Sequence, residues 1–344
     1  MAIKLKELYK DNPEYGAPLP ALSLGKYKYV RQTDIKNKIF NTFVNSGPLL
    51  KKDDILISRV GSNAGETYIH DTEEKCVFAG FLVRYHFDDL KLKNKYFYYW
   101  TKTSKYKNQV KKMITGSGQP QFNPPVVSEL MIFIPKIETQ QQIIDIIEPI
   151  ELIETKLAKI KNKLIKLLID LYSTNVKIQN SFNSRIKILN SSYEGQNNYF
   201  ATNAIGELEI DYNKIIPLTG KIPSRANISP TNDSFIFSKL DGENKLFYFK
   251  ERPKEVFSTG FFNFKTEYHD HILGFMLSDK FKLQKEQYAT GTTMRSINNQ
   301  SLKLIQLNEP KYKSNNITIM LYDIEKTSNK SKELKSKLIN LLIK

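Results

Sequence analysis

Apolar residues over 143–171 recur at alternating spacings of three and four: Ile143, Ile146, Ile150, Ile153, Leu157, Ile160, Leu164, Leu167 and Leu171. A repeat averaging 3.5 residues predicts a helix with a coiled-coil seam, narrower than the stripe of an ordinary surface helix. Thr139 and Gln142 stand where a capping box would open it. Pro149 lies inside the series and predicts a kink or a later start. Ile317, Met320, Ile324, Leu334, Leu338 and Leu341 form a second series, polar in its middle at Thr327 and Ser331. Alone, this second helix would be a weak coil; the two would satisfy each other as a pair. Elsewhere the pattern is that of strands. DDILISRV (53–60) and KCVFAGFLVRYHF (75–87) are short apolar runs bounded by Gly47-Pro48, Gly61-Ser62-Asn63 and Gly65. KNKYFYYWTKTSKYKNQVKKMI (93–114) predicts a helix.

The strand pattern occurs twice. TGSGQPQFNPPVVSELMIFIP (115–135) and TGTTMRSINNQSLKLIQLNEP (290–310) share Thr, Gly, Asn and Pro at a common offset of 175 residues. DSFIFSKLDG (233–242) repeats the first strand run, and KSKLINLLI (335–343) repeats KNKLIKLLI (161–169). Self-similarity at this period means duplication of a domain-sized module. Each copy runs into one of the two long helices in the same way, so a two-fold relation makes the pair antiparallel. The expected fold class is α+β: two tandem strand-rich domains, each followed by a long helix, the helices closing as an antiparallel coiled coil with pseudo-two-fold symmetry. The boundaries are 1–137, 138–175, 176–312 and 313–344. A helix of roughly 30–34 residues is on the order of 45–50 Å long, the axial length of about 13–15 base pairs.

The 344 residues suffice for two cores. Lys+Arg number 52 against 36 Asp+Glu, a formal net charge of +16. Such an excess suits a polyanion, chiefly nucleic acid. No apolar run is long enough to span a bilayer, and MAIKLKELYK has no signal core, so the cytoplasm is the expected location and no membrane partner is expected. The single Cys76 leaves no internal disulfide and argues against a cysteine metal cage.

Catalytic chemistry is sought and not found. Asn123-Pro124-Pro125-Val126 approaches the tetrad with which amino methyltransferases hold a flipped base, but Val126 stands where an aromatic should stack. No glycine-rich loop follows a strand to hold S-adenosylmethionine. Asn123 is therefore read as a turn or cap residue, with a self-contained adenine methyltransferase as the alternative. His70, His86, His269 and His271 show no metal-ligand spacing, and His269-Asp270-His271 is expected in a surface loop. Tyr98, Tyr99 and Trp100 have the spacing of core residues.

Tyr15-Gly16-Ala17, Thr33-Asp34-Ile35, the Asp54–Arg59 strand with Gly61-Ser62, the Gly116-Ser117-Gly118-Gln119 turn and the Pro135…Gln140-Gln141-Gln142-Ile143 helix entry together resemble the specificity subunit of a type I restriction-modification system. The resemblance covers nearly the whole chain. It implies that each copy is a target recognition domain and that the helices are spacers. It also implies double-stranded DNA with a bipartite target and two methyltransferase subunits as partners, with restriction subunits as further ones. S-adenosylmethionine would sit on the methyltransferase subunits, with no cofactor and no catalysis on this chain. A specificity chain of a smaller type II system is the other form the resemblance allows. Candidates for DNA contact are Arg31, Gln32, Arg59, Ser62, Asn63, Gln119 and Gln121 in the first copy and Arg225, Lys239 and Arg295 in the second. Arginine pairs with guanine, and glutamine or asparagine with adenine. A solvated charge or a phosphate contact is the competing role for each.

Overall fold

The computed structural model describes residues 2–36, 39–114, 120–173, 179–190, 192–242, 244–292, 294–310 and 313–343. The chain forms two compact units, Met1–Ile153 with Ser331–Lys344, and Glu154–Lys330. Among the described residues there are eight α-helices: α1 (Asn94–Trp100), α2 (Ser104–Met113), α3 (Pro124–Ser128), α4 (Ile137–Ser173), α5 (His269–Leu277), α6 (Asp279–Tyr288), α7 (Asn299–Leu304) and α8 (Asn316–Leu342). The first four and the last four follow one plan.

In the first unit a four-stranded antiparallel sheet runs Glu14–Tyr15, Leu82–Tyr85, Ile55–Ser58, Thr67–Ile69. Its two central strands are buried along their whole length, which is why they read as unbroken apolar runs and not as alternating ones. Ile55, Ile57, Val83 and Tyr85 face Phe97, Tyr99 and Trp100 of α1. Leu56, Tyr68 and Leu82 face the opposite way, toward Val30 and Phe78 of a smaller sheet. That sheet is ordered Phe43–Val44, Tyr27–Val30, Cys76–Phe78, and its last two strands are parallel.

The second unit has the same order, Lys187–Ile188, Phe261–Lys265, Ser234–Ser238, Leu246–Phe249. Its smaller sheet again contains a parallel pair, Asn198–Phe200 with Val256–Ser258. Side-chain bonds repeat as well. Thr103 caps α2 by accepting from the Tyr106 amide, and Ser278 caps α6 by accepting from the Phe281 amide. Gln109 on α2 donates to the Met131 carbonyl at 2.9 Å and accepts from the Met131 amide at 2.8 Å. Gln284 on α6 does the same with Gln306, at 2.8 and 2.7 Å. In each case the amide clasps a two-stranded ribbon, Ala2–Lys4 with Met131–Phe133 or Gln179–Ser181 with Gln306–Asn308.

The sequence expectations need four corrections. Residues 93–114 form two helices, because the Thr103 hydroxyl accepts from the Tyr106 amide and so starts a second one. The long helix begins at Ile137, before Thr139, and continues through Pro149. Its entry is held by Gln140, fully buried, which accepts from the Lys93 amide and donates to the Lys91 and Pro135 carbonyls. His269, Asp270 and His271 are buried in the first turn of α5, not in a surface loop. Asp270 accepts from the Thr318 amide at 2.8 Å, the Thr318 hydroxyl at 2.7 Å and the Ser314 hydroxyl at 2.6 Å, so it caps α8. His269 pairs with Asp233 at 2.7 Å.

The fourth correction concerns the seam. The helices α4 and α8 pair antiparallel: Ile143, Ile144 and Ile147 share a core with Ile339 and Ile343 in the first unit, and Leu168 and Tyr172 share one with Leu321 in the second. The contact face runs Gln140, Ile144, Ile147, Glu151, Glu154, Lys161, Ile165, Leu168, Tyr172, one residue out of phase with the apolar heptad. Of the expected seam residues, Ile143 is buried and Ile150, Leu157, Leu164, Ile317, Ile324 and Leu338 are partly buried. Ile146, Ile153, Ile160, Leu167, Leu171 and Met320 are 45–48% exposed, and Leu334 and Leu341 still more so. The seam includes polar residues in its middle, so the apolar pattern pointed to its flank.

Candidate nucleic-acid interface

The strand Ile55–Ser58 delivers Arg59 to one end of the first unit. The Arg59 amide donates to the Phe81 carbonyl at 3.0 Å, and its carbonyl accepts from the Phe122 amide at 2.8 Å. Arg59 Nε donates to the Gly80 carbonyl at 3.1 Å, and the guanidinium lies 5.5 Å from the ring centroids of both Tyr15 and Phe81. The turn Gly61–Asn63 follows at once. Asn63 donates from its side-chain amide to the Gln32 carbonyl at 2.9 Å, which ties this turn to the loop carrying Arg31. Val60 bridges to Gln121, and the Gly61 amide donates to the Pro120 carbonyl at 2.9 Å. The structure thus brings Arg31, Gln32, Arg59, Ser62, Asn63 and Gln121 together at one end of one unit. Gln119 and the Gly116–Gln119 turn lie outside the described residues.

The second unit builds the same end. Lys239 closes the equivalent strand, and its carbonyl accepts from the Ile297 amide. Leu240 bridges to Ser296, and the Asp241 amide donates to the Arg295 carbonyl at 3.0 Å. The Arg225 carbonyl accepts from the Thr259 amide at 2.8 Å, and Lys239 Nζ donates to the Thr259 carbonyl at 2.8 Å. Arg225, Lys239 and Arg295 therefore share one end, as their counterparts do.

The cations differ in how far they are committed. Arg31 is bound by Asp34 at 2.8 Å, and the hydrogen bond from that carboxylate holds the guanidinium above its ordinary range. Arg295 donates to the Glu286 and Ala289 carbonyls and pairs with Asp241 at 3.4 Å. Burial pushes the Lys239 ammonium below its usual value. Arg225 is exposed, and its guanidinium makes no hydrogen bond among the described residues. Of these cations Arg59 alone is oriented by its contacts and, among the described residues, without an acceptor on Nη1 and Nη2. Tyr15 and Phe81, 51% and 45% exposed, belong to this surface, and the list of candidates missed them. An aromatic residue beside a glycine in a strand run reads as core, so only the fold separates the exposed Phe81 from the buried Phe261, which pairs with Ser238 as Leu82 does with Ser58.

Asn123 stands as the N-cap of α3, and its repeat partner Asn298 caps α7 by accepting from the Gln300 and Ser301 amides. Asn123 Oδ1 is buried without a partner among the described residues, for Pro124 and Pro125 offer no N–H. Asn123 thus holds the N-cap position without the side-chain cap bond, and its amide donates to Gln121 Oε1 at 2.9 Å. Tyr99 and Trp100 are core residues. No group of potential ligands that could hold a metal ion occurs among the described residues, and no helix among them is long and apolar enough to cross a membrane.

The duplicated α+β unit, each copy followed by a long helix, also occurs in a solved structure. The crystal structure of a type I restriction-modification S subunit from M. genitalium has this fold: TM-score 0.58 at 14% identity, over 100% of this chain and 96% of that one. The HsdS subunit from Thermoanaerobacter tengcongensis matches at TM-score 0.34 and 10% identity, over 99% and 95%. A chain from a type I R-M system solved for its complex assembly and conformational transition matches at TM-score 0.41 and 10% identity, over 99% and 97%. No curated protein matches in sequence. Residues 20–167 match the family model of the type I restriction modification DNA specificity domain.

Proposed function

We propose that this chain is the non-catalytic DNA-specificity subunit of a restriction-modification system, addressing methyltransferase subunits to a bipartite target on double-stranded DNA. The observation that carries this reading is the pair of equivalent basic ends, built on the same strand in both units. Two copies of one recognition surface suit two half-sites. The paired helices α4 and α8 act as the spacer. S-adenosylmethionine belongs to the methyltransferase subunits, and cleavage to restriction subunits where the system has them.

The exposed series Ile146, Ile153, Ile160 and Leu167 supports the partner assignment. These residues recur every seven positions along α4, two in each unit, and exposed apolar residues repeated at this spacing suit a protein contact. The methyltransferase subunits are its proposed occupants.

The test is binding by the complex of this chain with its methyltransferase subunits. The target comes from sequencing methylated bases in a host that carries the gene. Gel shifts then compare that target with scrambled half-sites over a salt titration. Phosphate attraction is salt-sensitive and sequence-blind. Equal affinity for all sequences at every salt concentration refutes the reading. Tight S-adenosylmethionine binding by this chain alone would favour the methyltransferase alternative.

A further inference from the structure

We infer that Arg59 reads a guanine in the half-site bound by the first unit, with Tyr15 and Phe81 as positioning residues that hold its plane. The inference rests on the DNA-specificity reading above and adds the chemistry of one base contact.

Arginine carries five N–H donors in a rigid plane. In Arg59 one of them, on Nε, is bound to the Gly80 carbonyl. Among the described residues the four on Nη1 and Nη2 have no acceptor. The backbone is clamped on both sides by Phe81 and Phe122. Two half-exposed rings flank the guanidinium at equal distance. A phosphate contact needs charge and little orientation, and the unheld, exposed Arg225 is an arginine of that kind. A guanidinium fixed in its plane instead presents two parallel N–H groups. Guanine offers the matching pair of acceptors, O6 and N7, in the major groove. Adenine places an amino donor where O6 would be, so it opposes one of the two N–H groups. Fixing the plane beforehand removes much of the ordering cost of the contact.

The second unit lacks this arrangement. Lys239, the counterpart of Arg59, is a point charge already bonded to a carbonyl. Gly260, whose carbonyl accepts from the Lys239 amide as that of Phe81 accepts from the Arg59 amide, carries no ring at the position of Phe81. Arg295 is committed to two carbonyls and Asp241. Dependence on this guanine therefore belongs to one half-site only.

The experiment uses the complex with its methyltransferase subunits and probes in which 7-deazaguanine replaces each target guanine in turn. This base lacks the N7 acceptor but keeps Watson–Crick pairing and the phosphates. At one position the wild-type complex should lose affinity by roughly 5- to 100-fold. Arg59→Lys should lose the same discrimination while its salt slope stays unchanged, and the two losses should not add. Tyr15→Phe should preserve discrimination. Tyr15→Ala and Phe81→Ala should weaken it, with no change in salt slope. Tolerance of 7-deazaguanine everywhere, additive losses, or a target without guanine overturns the inference while leaving the DNA-specificity reading intact. A complex with no sequence preference removes that reading, and the inference with it.

Discussion

Lys161→Met should be the most damaging single change on the contact face of α4. Lys161 Nζ donates to the Leu208 carbonyl at 2.8 Å, to Glu325 on α8 at 3.1 Å and to Glu209 at 3.1 Å. The Lys161 and Glu325 side chains are only 10% and 8% exposed, whereas Glu209 is largely in solvent. Methionine fills the space but strands a buried carboxylate, and breaking a buried pair from one side costs about 3–5 kcal/mol. Two facts limit the loss. Asn329 still donates to Glu325 at 3.1 Å. Neutralising an ordinary glutamate at pH 7 costs about 4 kcal/mol, which sets a ceiling. The expected loss is about 3–4 kcal/mol by urea unfolding followed by far-ultraviolet circular dichroism. Lys161→Met combined with Glu325→Leu should return to within ~1 kcal/mol of the parent. The equivalent pair in the first unit, Lys335 with Glu151, is 3.7 Å apart and over one-fifth exposed on both sides. Lys335→Met should cost less than about 1 kcal/mol. A loss below ~1 kcal/mol for Lys161→Met, or equal losses at the two lysines, would refute the argument that burial sets the cost.

Gly274→Ala should destabilise by about 2 kcal/mol despite alanine's higher helix propensity, because its Cβ would stand 2.5 Å from the Leu168 carbonyl oxygen; an unchanged melting temperature would count against the close packing of α5 on α4. Gln109→Ala and Gln284→Ala should each cost about 1–3 kcal/mol and by similar amounts, since each removes one clasp and leaves a backbone pair unsatisfied; chemical denaturation of both variants checks this. Burial holds His271 below its ordinary 6.5, with Nε2 donating to the Asn308 carbonyl at 2.7 Å. The unfolded chain thus takes up this proton first, so stability should fall as pH drops below about 6.5, and His271→Gln should flatten that part of the urea-midpoint profile against pH.

The duplication was legible because it is written in residues that bond within each unit. Thr103 and Ser278, Gln109 and Gln284, and Asn123 and Asn298 all stand 175 residues apart. The strands were legible because both faces of each central strand are covered, which forces continuous apolar runs. The phase of the helix pair was not, because Glu151, Glu154 and Lys161 occupy the contact face while Ile146, Ile153 and Ile160 lie outside it. A hydrophobic count follows the apolar flank and misses a seam with polar residues in its middle. The burial of His269, Asp270 and His271 was hidden for a similar reason: their partners, Asp233, Thr318 and Asn308, are tens of residues away. Of the site, the strand-end position of Arg59 could be read from the sequence. Its aromatic flanks could not, since the sheet alone brings Tyr15 and Phe81 beside it.

The two acid–base pairs across the helices are interchanged copies of one another. Glu151 and Lys161 lie on α4, Glu325 and Lys335 on α8, and each residue of α8 follows its like on α4 by 174 positions. A helix with an acid and a base ten residues apart on its contact face is complementary to itself when reversed. A half-length ancestor carrying only one such helix would have closed as an isologous dimer, each chain offering its acid to the other's base. Fusion of two such genes would turn a contact between identical subunits into one within a single chain. From then on the two ends would no longer have to be alike, and each recognition surface could drift to a different sequence while the scaffold stayed fixed.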